Sequence, residues 1–492
     1  MALAPFALVL LLALGACAPA PPASVTPGNE SDHAAAEAAL TEIGFNLAHL
    51  DFLGEDVVLD GDTLRFIHIY AEPGPDGAWV FVGDHDEGLA CVDDAARAAV
   101  LYLHHYEATG DEQSRRTAVK LLRFVRHLQA DSGLFYNFVW DRALRINTEH
   151  QNSVADEVSW WTARAVWALG EGARVLAEAD PAEAAADEAA IRRVEPHLDG
   201  LLAHYGEMAD ADGRAFPQWL VSGTAADATS ELLLGLIALQ DVAPTDDGAR
   251  RVRQFADGLT RVRFGDLATF PYGGHAAWTG GWHGWGSSQT QALAEAARLG
   301  MAGPEALASA EAEAQSLYAR LLVEGWLHNL DFATGEAQAF EQIAYDLRPA
   351  VVGLIRLYEA TGDEQYAVMA GLGASWFHGL NPAYATMADP ATGRGYDGIL
   401  SPDQINENAG AESTVEAQMT LLAVSAHPEA AAWAWTDAGL PRTLQWEGRT
   451  VRARIFAGPT RAVVVLDPEA GASHLFVGPE AERFLGDAAP SP

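Results

Sequence analysis

The chain has 492 residues, of which 49% are hydrophobic and 20% charged, so it can build a large core and is not a disordered polymer. Its formal net charge of −38 disfavours proteins that track nucleic-acid phosphates, because such a surface repels them. Length alone allows one large domain or two to three ordinary ones.

The first residues predict export and a lipid anchor. Residues 7–14 form an apolar run too short to span a bilayer, and Leu14-Gly15-Ala16-Cys17 resembles the bacterial lipobox, whose cysteine is lipidated after cleavage. No Lys or Arg precedes the run, so an ordinary secretory signal with a chance cysteine is the alternative. We expect a signal peptide over residues 1–17, a flexible linker over residues 18–32 and an exported protein anchored to the cell envelope through Cys17.

Cysteine and histidine usage gives no sign of a metal or a cofactor. Only Cys17 and Cys91 are present, so a mature chain lipidated at Cys17 has no internal disulfide and no thiolate zinc site. The acidic run Asp84-His85-Asp86-Glu87 lacks a complete ligand spacing and is interpreted as a solvated loop. We therefore expect neither a metal nor a cofactor.

An eight-residue repeat indicates a repeated helical hairpin. Residues 106–113 recur word for word at residues 358–365. In each copy a glycine after an apolar helical run supplies a left-handed C-cap, and the aspartate that follows can cap the next helix. The repeat therefore predicts the corner of an αα-hairpin, used at least twice in the chain.

Periodicity and caps together predict an all-α (α/α)6 toroid of about twelve helices. The helices are expected to start near Ala34, Val92, Asp111, Asp156, Glu188, Asp227, Asp247, Ser288, Pro304, Tyr345, Asp363 and Gly410. Every second one is apolar on most sides and should belong to an inner ring, and its charged partner to an outer ring. The connections into the inner helices are long, so the functional cleft should lie at the end where the inner helices begin.

Two stretches lack the periodicity of an α-helix. Residues 57–82 alternate apolar and polar positions around an Asp60-Gly61 turn, and residues 443–477 do so around Gly448. Both predict small antiparallel β elements, and whether they pair with each other stays open. The domain prediction is a toroid over residues 33–440, with a β insertion at about 51–90, followed by a C-terminal β segment and tail over residues 441–492.

The entrances of the early inner helices carry candidate acids. Asp93 and Asp94 open the second predicted helix, where either could act as a cap or as a catalytic group. Ser153 and Asp156 fit a capping box at the fourth helix, which makes Asp156 structural. Glu157 is the better candidate there, because the neighbouring indoles of residues 160 and 161 would desolvate its carboxyl and raise its pKa, as a general acid requires.

The segment 265–291 is rich in aromatic residues and glycine, which suits stacking on sugar rings, although a plug in the core is the alternative. Further candidate polar residues lie at the start of the tenth predicted helix, namely Asp346 and Arg348, and at the start of the twelfth, namely Asn406, Glu407, Asn408 and Glu412. The predicted substrate-binding residues are Asp93, Trp160, Trp161, Tyr272, His275, Trp278, Trp282, His283, Trp285, Arg348, Asn406 and Asn408.

These pieces resemble the six-hairpin glycosidase-like superfamily of (α/α)6 toroids, and more narrowly the toroid domains associated with bacterial glycosyltransferases. The resemblance is carried by residues 92–98, 163–171, 376–381 and 397–398, and most specifically by residues 406–415. Ala95 and Ala409 replace expected polar residues, and no glycosyltransferase domain is present. The resemblance implies a carbohydrate substrate and assigns no catalytic residue.

The leading hypothesis is a glycoside hydrolase with a carboxylate acid/base pair. The candidate catalytic residues are Asp94, Glu157, Asp346, Glu407 and Glu412, with Asp94 and Glu157 as the favoured pair.

Two alternatives stay open. A uronate lyase or sugar epimerase would use Tyr272, His275 or His283 as base and Arg348 or Arg394 to grip a carboxylate, and a glycan-binding lipoprotein would need no carboxylate pair. The expected partners are a carbohydrate and, through the lipid, a membrane; no nucleic acid is expected, and the oligomeric state is open.

Overall fold

The computed structural model describes residues 30–490, so the predicted signal peptide, Cys17 and most of the predicted linker lie outside the described residues. The helices are α1 (Glu30–Ile43), α2 (Ala48–Leu53), α3 (Val92–Thr109), α4 (Glu112–His127), α5 (Trp160–Ala179), α6 (Pro181–Leu202), α7 (Ala226–Val242), α8 (Asp246–Thr260), α9 (Gln289–Arg298), α10 (Pro304–Glu313), α11 (Ala319–Glu324), α12 (Ala344–Thr361), α13 (Glu364–Ala374), α14 (Ala411–Ser425), α15 (Pro428–Ala431) and α16 (Pro479–Asp487). A π-helical turn, Ala314–Tyr318, joins α10 to α11.

The strands are short outside the two β regions. They are β1 (Gly54–Leu59), β2 (Asp62–Ile67), β3 (Tyr70–Pro73), β4 (Trp79–Val82), β5 (Ala90–Cys91), β6 (Phe138–Val139), β7 (Met208–Ala211), β8 (Arg214–Pro217), β9 (Gly281–His283), β10 (Asn329–Asp331), β11 (Ala337–Gln338), β12 (Gly398–Ser401), β13 (Gln404–Asn406), β14 (Asp437–Ala438), β15 (Arg442–Trp446), β16 (Arg449–Ala457), β17 (Arg461–Asp467), β18 (Ala472–Val477) and β19 (Ala489–Pro490).

Six inner helices form a closed ring, which confirms the predicted toroid. Helices α3, α5, α7, α9, α12 and α14 each pack against the next, and α14 packs back against α3. Helices α4, α6, α8, α10 and α13 pack outside the inner helices that precede them. Helix α1 contacts both α14 and α3, so the first helix of the chain covers the last inner helix.

The inner helices are buried on nearly all sides, as their apolar sequences predict. Every residue from Ala226 to Leu239 in α7 is buried, whereas α8 has exposed charged positions. Helices α5 and α7 touch through their backbones, because a Cβ atom on Gly170 would lie 2.2 Å from the Gly235 carbonyl oxygen. A Cβ atom on Gly235 would likewise lie 2.2 Å from the Val166 carbonyl oxygen. Glycine is therefore required at this contact by lack of space.

The repeated corner has the same geometry in both copies. Gly110 and Gly362 end α3 and α12 in the left-handed region, with φ of 70° and 72°. Asp111 and Asp363 then cap α4 and α13 by accepting hydrogen bonds from backbone N–H groups of the first turn. The prediction of two equivalent αα-hairpin corners is confirmed.

The β regions contain more strand than predicted, and strands make up 21% of the structure against 48% helix. The hairpin β1–β2 turns at Asp60-Gly61, and β15–β16 turns at Glu447-Gly448, as the sequence indicates. The two regions do not pair with each other: β1–β2 and β3–β4 are separate two-stranded sheets, while β14–β19 form a six-stranded sheet. Additional short strands lie in the long connections, where strand pairing provides hydrogen bonds for partly buried backbone N–H and C=O groups.

The start of α5 differs from its prediction. Ser159 caps the helix by accepting from the Thr162 N–H, whereas Ser153 Oγ accepts from the N–H groups of Asn137 and Phe138. The predicted capping box of Ser153 and Asp156 is therefore wrong, because the hydroxyl of Ser153 is used by the preceding connection. Within residues 30–490, no helix is both long enough and apolar enough to cross a bilayer.

The contact between α5 and α7 yields a stability test. Gly235→Ala should lower the free energy of unfolding by about 2 kcal/mol, because the added methyl forces two inner helices apart. Gly200→Ala on α6, where no atom lies within 4 Å of the new Cβ, should raise it by roughly 0.5–1 kcal/mol. Urea unfolding followed by circular dichroism measures both, and equal effects of the two substitutions would contradict the close-approach argument.

Candidate active site

The amino-terminal turns of the six inner helices meet at one end of the ring, here named the mouth. These turns carry Asp93, Asp94 and Arg97 on α3, Arg164 on α5, Asp227 and Glu231 on α7, Gln291 on α9, Asp346 and Arg348 on α12, and Glu412 and Glu416 on α14. The hydrogen bonds among these groups join all parts of the ring, as the following contacts show.

Arg348 lies at the centre of the ring with its side chain fully buried. Its Nε donates to Glu416 at 2.6 Å and its Nη2 donates to Glu231 at 3.1 Å. Its Nη1 donates to Ser288 and Gln291 at 3.0 and 3.2 Å. One guanidinium thus connects α12 with α7, α9 and α14, and its hydrogen-bonding capacity is used by the protein itself.

Arg97 connects α3 with α14. It donates to Asp94 at 2.7 Å and to both Glu412 and Glu416 at 3.1 Å. Burial raises the pKa of Asp94 to about 6, and the nearby charge of Glu412 adds to that rise although Arg97 opposes it. The Cys91 thiol also donates to Asp94, at 3.2 Å. Asp94 is therefore enclosed by protein contacts on several sides.

Arg164 completes the set on α5. It forms ion pairs with Glu231 at 3.0 Å and Asp93 at 3.1 Å, and it donates to the Tyr345 hydroxyl at 2.7 Å. Burial opposes the ionisation of Glu231, yet Arg164 and Arg348 hold the pKa of that carboxyl below its usual value. We name Arg97, Arg164 and Arg348 with their five carboxylate partners the arginine network.

Asp397 lies beside the arginine network and is open to a pocket. Its Oδ1 accepts from Ser413 Oγ at 2.6 Å and from the Gly410 N–H at 3.0 Å, which fixes the carboxyl group at the start of α14. Burial raises the pKa of Asp397, and the charge of Glu412 raises it further. The pocket has a volume of about 170 Å³ and is lined by Tyr70, Ala71, Glu72, Val82, Asp397 and Asn408.

Glu341 lies near Asp397, and His328 lies between Glu341 and Asp346 in the same part of the mouth. Burial raises the pKa of Glu341, and the charge of Asp397 contributes to that rise. His328 approaches Asp346 at 3.2 Å, and this hydrogen bond raises the pKa of the imidazole, whose side chain is 23% exposed. Burial raises the pKa of Asp346 itself to about 6. Glu412, with a side chain 46% exposed, provides an ion-paired carboxylate next to these protonatable groups.

Aromatic side chains form part of the mouth wall. Trp160 packs over the Arg164 guanidinium, 4.8 Å from ring to carbon, and lies 6.2 Å from the Trp285 ring. Trp285 stacks on His283 at 3.5 Å, and His283 Nε2 lies 3.0 Å from Asp227. Both indoles are partly exposed, so they offer flat apolar surface next to the acids.

Several predicted site residues are placed elsewhere. His275 is fully buried, and its ring nitrogens bond Glu313 and Ser309 at 2.8 Å, so it cannot contact a substrate. Trp282 is buried in the sheet of β9 and β10, and Arg348 is sealed within the arginine network. Their assignment as substrate-binding residues is wrong, because all three side chains are buried in the protein.

The glycines of the segment 265–291 mark close packing and not exposure. A Cβ atom on Gly284 would lie 2.8 Å from Asp346, and one on Gly286 would lie 2.5 Å from Trp160. Trp278 is 52% exposed. Tyr272 packs under Arg320 at 4.0 Å, away from the arginine network. The segment is therefore largely the core plug that the sequence left as an alternative.

The favoured pair of Asp94 and Glu157 is not brought together by any contact. Glu157 lies in an exposed turn before α5 and forms no ion pair within residues 30–490. The expected indole wall is missing because Trp161 donates to the Val154 carbonyl oxygen at 3.0 Å and Trp160 covers Arg164. Glu407 is exposed as well.

Two predicted amides lie near the pocket. The Asn406 side chain accepts from the Asn408 N–H at 3.2 Å, and Asn408 itself lines the pocket.

Neither a cluster of metal-ligating side chains nor a second surface depression within residues 30–490 points to another site. No group of three or more His, Cys, Asp or Glu side chains among residues 30–490 is arranged to hold a metal ion. A depression of about 360 Å³ is lined by outer-ring residues such as Tyr205, Arg250 and Asp257 and by none of the mouth residues. We locate the site at the mouth because several acids with a raised pKa lie together there, namely Asp94, Glu341, Asp346 and Asp397. Asp187 on α6 also has a raised pKa, but its side chain is buried against Arg126 in the outer ring.

Asp397 was not predicted as a catalytic candidate, and neither were Glu341, His328 and half of the arginine network (Arg97, Arg164, Glu231 and Glu416). One signal was present: Asp227 and Glu231, like Glu412 and Glu416, are acids four residues apart on otherwise apolar inner helices. A charge one turn inside a buried helix must find a partner. No comparable pattern marks Asp397, which lies in a loop and depends on tertiary contacts.

Comparison with known proteins supports the architecture. No protein-family model and no curated protein matches the chain. A solved sugar epimerase from a ruminal bacterium aligns with a TM-score of 0.55 at 12% identity, covering 80% of this chain and 98% of that one. Cellobiose 2-epimerase from Bacillus thermoamylovorans aligns with a TM-score of 0.53 at 12% identity, covering 80% of this chain and 99% of that one. A D-mannose isomerase aligns with a TM-score of 0.53 at 15% identity, covering 79% of this chain and 96% of that one. The chain therefore shares the (α/α)6 toroid fold of these proteins.

The arginine network predicts a large loss of stability when one cation is removed. Arg348→Met should lower the free energy of unfolding by about 3 kcal/mol or more, because Glu231 and Glu416 would remain buried without their common partner. Arg145→Met, at an ion pair with a side chain 69% exposed, should change it by no more than roughly 0.5 kcal/mol. Urea denaturation compares the two, and a small effect at Arg348 would contradict the central role of the network.

Proposed function

We propose that the protein is a glycoside hydrolase acting on an extracellular glycan or oligosaccharide. The observation that carries this proposal is the pair of carboxyl groups at the mouth, Asp397 and Glu412, which differ in environment. Asp397 is largely desolvated with a raised pKa, whereas Glu412 is half-exposed and paired with Arg97. Two neighbouring carboxyl groups in different environments are what general acid/base hydrolysis requires.

Asp397 is suited to be the general acid. Ser413 and the Gly410 N–H hold one carboxyl oxygen, and the other forms no hydrogen bond within residues 30–490, so it is free to face a ligand in the pocket. A protonated carboxyl in this position donates its proton to the glycosidic oxygen while the bond between that oxygen and the anomeric carbon breaks.

Glu412 is suited to be the general base. It accepts one proton from a water molecule, whose oxygen forms the new bond to the anomeric carbon. The products are two sugars, one of them with a new hydroxyl group from water, and proton exchange with solvent restores both carboxyl groups. Trp160 and Trp285 provide the stacking surface for the sugar, and the arginine network holds Glu412 in place.

Export and anchoring belong to the same proposal. The lipobox-like sequence ending at Cys17 supports a lipid-anchored protein of the cell envelope, where an extracellular glycan would be the accessible substrate. A relation to the toroid domains associated with bacterial glycosyltransferases, supported by residues 92–98 and 406–415, is also proposed.

Substitution of the two carboxyl groups tests the chemistry. A panel of oligosaccharides and nitrophenyl glycosides, incubated in 18O-labelled water, should give a product carrying one labelled oxygen. Asp397→Asn and Glu412→Gln should each reduce kcat by about 100-fold or more while the fold is retained, because each removes a proton-transfer group.

Asp403→Asn, in the exposed turn between β12 and β13, is the matched control and should keep full activity. Undiminished turnover in Asp397→Asn would reject Asp397 as the acid, and a labelled product is required for hydrolysis in any form.

The pH dependence of kcat/KM provides an independent test. The general acid must be protonated, so activity falls as pH rises through the pKa of Asp397, and burial moves this fall above the range of an ordinary aspartate. Ser413 stabilises the ionised carboxyl, so Ser413→Ala should raise that pKa and move the alkaline limb to higher pH. Ser425→Ala, at the other end of α14, should leave the profile unchanged. A shift to lower pH in Ser413→Ala would contradict the assignment.

A sugar epimerase or isomerase is the second candidate. The observation that favours it is the contact of His328 with Asp346, a partly exposed imidazole oriented by a buried acid, which suits removal of a proton from carbon. The solved structures that share the fold include sugar epimerases and an isomerase. Incubation in deuterated water separates the two reactions: an epimerase product has the mass of its substrate plus exchanged deuterium, and His328→Gln should abolish that exchange.

A further inference from the structure

Arg394 is a cation at the mouth that the protein leaves without a carboxylate partner. The three arginines of the network each form at least two ion pairs, whereas Arg394 forms none within residues 30–490. Its Nε is buried and has no hydrogen-bond partner. Other arginines, such as Arg214, also lack an ion pair, but Arg394 lies three residues before Asp397 in the connection that leads to α14.

The surroundings of Arg394 are rigid and aromatic. Its guanidinium lies over the Trp79 ring, 4.5 Å from the centroid. Trp79 packs against the edge of His49 at 5.2 Å, and His49 Nε2 bonds the Ala409 carbonyl oxygen at 2.9 Å. Burial raises the pKa of the neighbouring Tyr396 phenol, while hydrogen bonding from Arg394 lowers it. The guanidinium is therefore held by stacking and by one phenol, which leaves donors available.

Arg394 and Trp79 belong to the two segments that also line the pocket of Asp397, although neither residue lines the pocket itself. Trp79 is opposite Pro73 in the β3–β4 hairpin, one position from Glu72 in the pocket lining. Arg394 precedes Asp397 by three residues in the connection that leads to α14. The stacked pair of Arg394 and Trp79 therefore joins these two segments next to the pocket.

We propose that Arg394 and Trp79 form a subsite for a sugar that carries a carboxylate, so that the substrate contains a uronic acid. This inference rests on the proposed function in that it takes the mouth as the sugar site. A planar guanidinium matches a carboxylate with two parallel hydrogen bonds, and the indole beneath it offers an apolar face for the sugar ring. Glu72 and Asp397 repel an anion elsewhere in the pocket, so Arg394 fixes which part of the substrate carries the charge.

The test measures binding and does not depend on turnover. Dissociation constants of glucuronate, galacturonate, glucose, galactose and glucose 6-sulfate are determined by ligand-observed NMR on the full chain and on the Asp397→Asn variant. At least one of the two uronates should bind at least tenfold more tightly than its neutral counterpart. Arg394→Gln should remove this preference, and Arg394→Lys, which keeps the charge but loses the planar fork, should restore part of it.

Arg214→Gln is the matched control, because Arg214 also stacks over an aromatic ring, at 4.5 Å from Phe332, without an ion pair. It should leave both uronate affinity and thermal stability unchanged. Equal affinity for uronates and neutral sugars, or an unchanged preference in Arg394→Gln, would overturn the subsite. Binding of glucose 6-sulfate in preference to the uronates would overturn the carboxylate assignment.

The two proposals fail in different experiments. If Asp397→Asn retains hydrolysis, the acid assignment falls, while an Arg394-dependent uronate preference would still stand as a binding site. If hydrolysis depends on Asp397 but the affinity for uronates does not depend on Arg394, the enzyme acts on neutral sugars and the proposed uronate subsite is wrong.

Discussion

The buried ion pairs of the arginine network are the constraint on which the rest of the structure depends. Five carboxylates and three guanidinium groups lie where six helices meet, and each charge is tolerated in the core only because its partners stay in register. Replacing one of the three arginines leaves buried carboxylates without a compensating charge, so the network fixes how the inner helices are rotated. The same arrangement orients Glu412 towards the open end of the ring.

The site is built from a rigid layer and an open layer. The network forms the rigid layer, in which Asp94 and Glu416 are enclosed and unavailable to a ligand. Asp397, Glu341, His328 and Glu412 lie next to it at positions where burial is incomplete. Burial raises the pKa of Asp397, and no cation forms an ion pair with it within residues 30–490, so its protonated form is favoured. Chemistry is therefore expected in the open layer.

The ring was predictable from sequence because its signals are local. Glycine with a following aspartate sets each corner, and apolar runs such as residues 226–239 identify the inner helices without reference to any partner. Asp397 was not predictable as a functional group, since its placement depends on contacts with Ser413 and Gly410. Arg394 was predicted only as a residue that could grip a carboxylate, and its stacking on Trp79, more than 300 positions away, was not predictable. The aromatic segment 265–291 was wrongly predicted to be exposed, because glycine is used for close packing as well as for mobility. The contact of Gly284 with Asp346 is an example.

The covering of α14 by α1 has a consequence for how the chain acquires its shape. Residues 44–410 lie between these two helices, so their contact joins segments that are far apart in the sequence. Assembly must accordingly include a late step that spends loop-closure entropy on a contact of very long range. Shortening the protein from either side beyond these helices would open the ring and uncover apolar flanks, so the molecule behaves as a single cooperative unit.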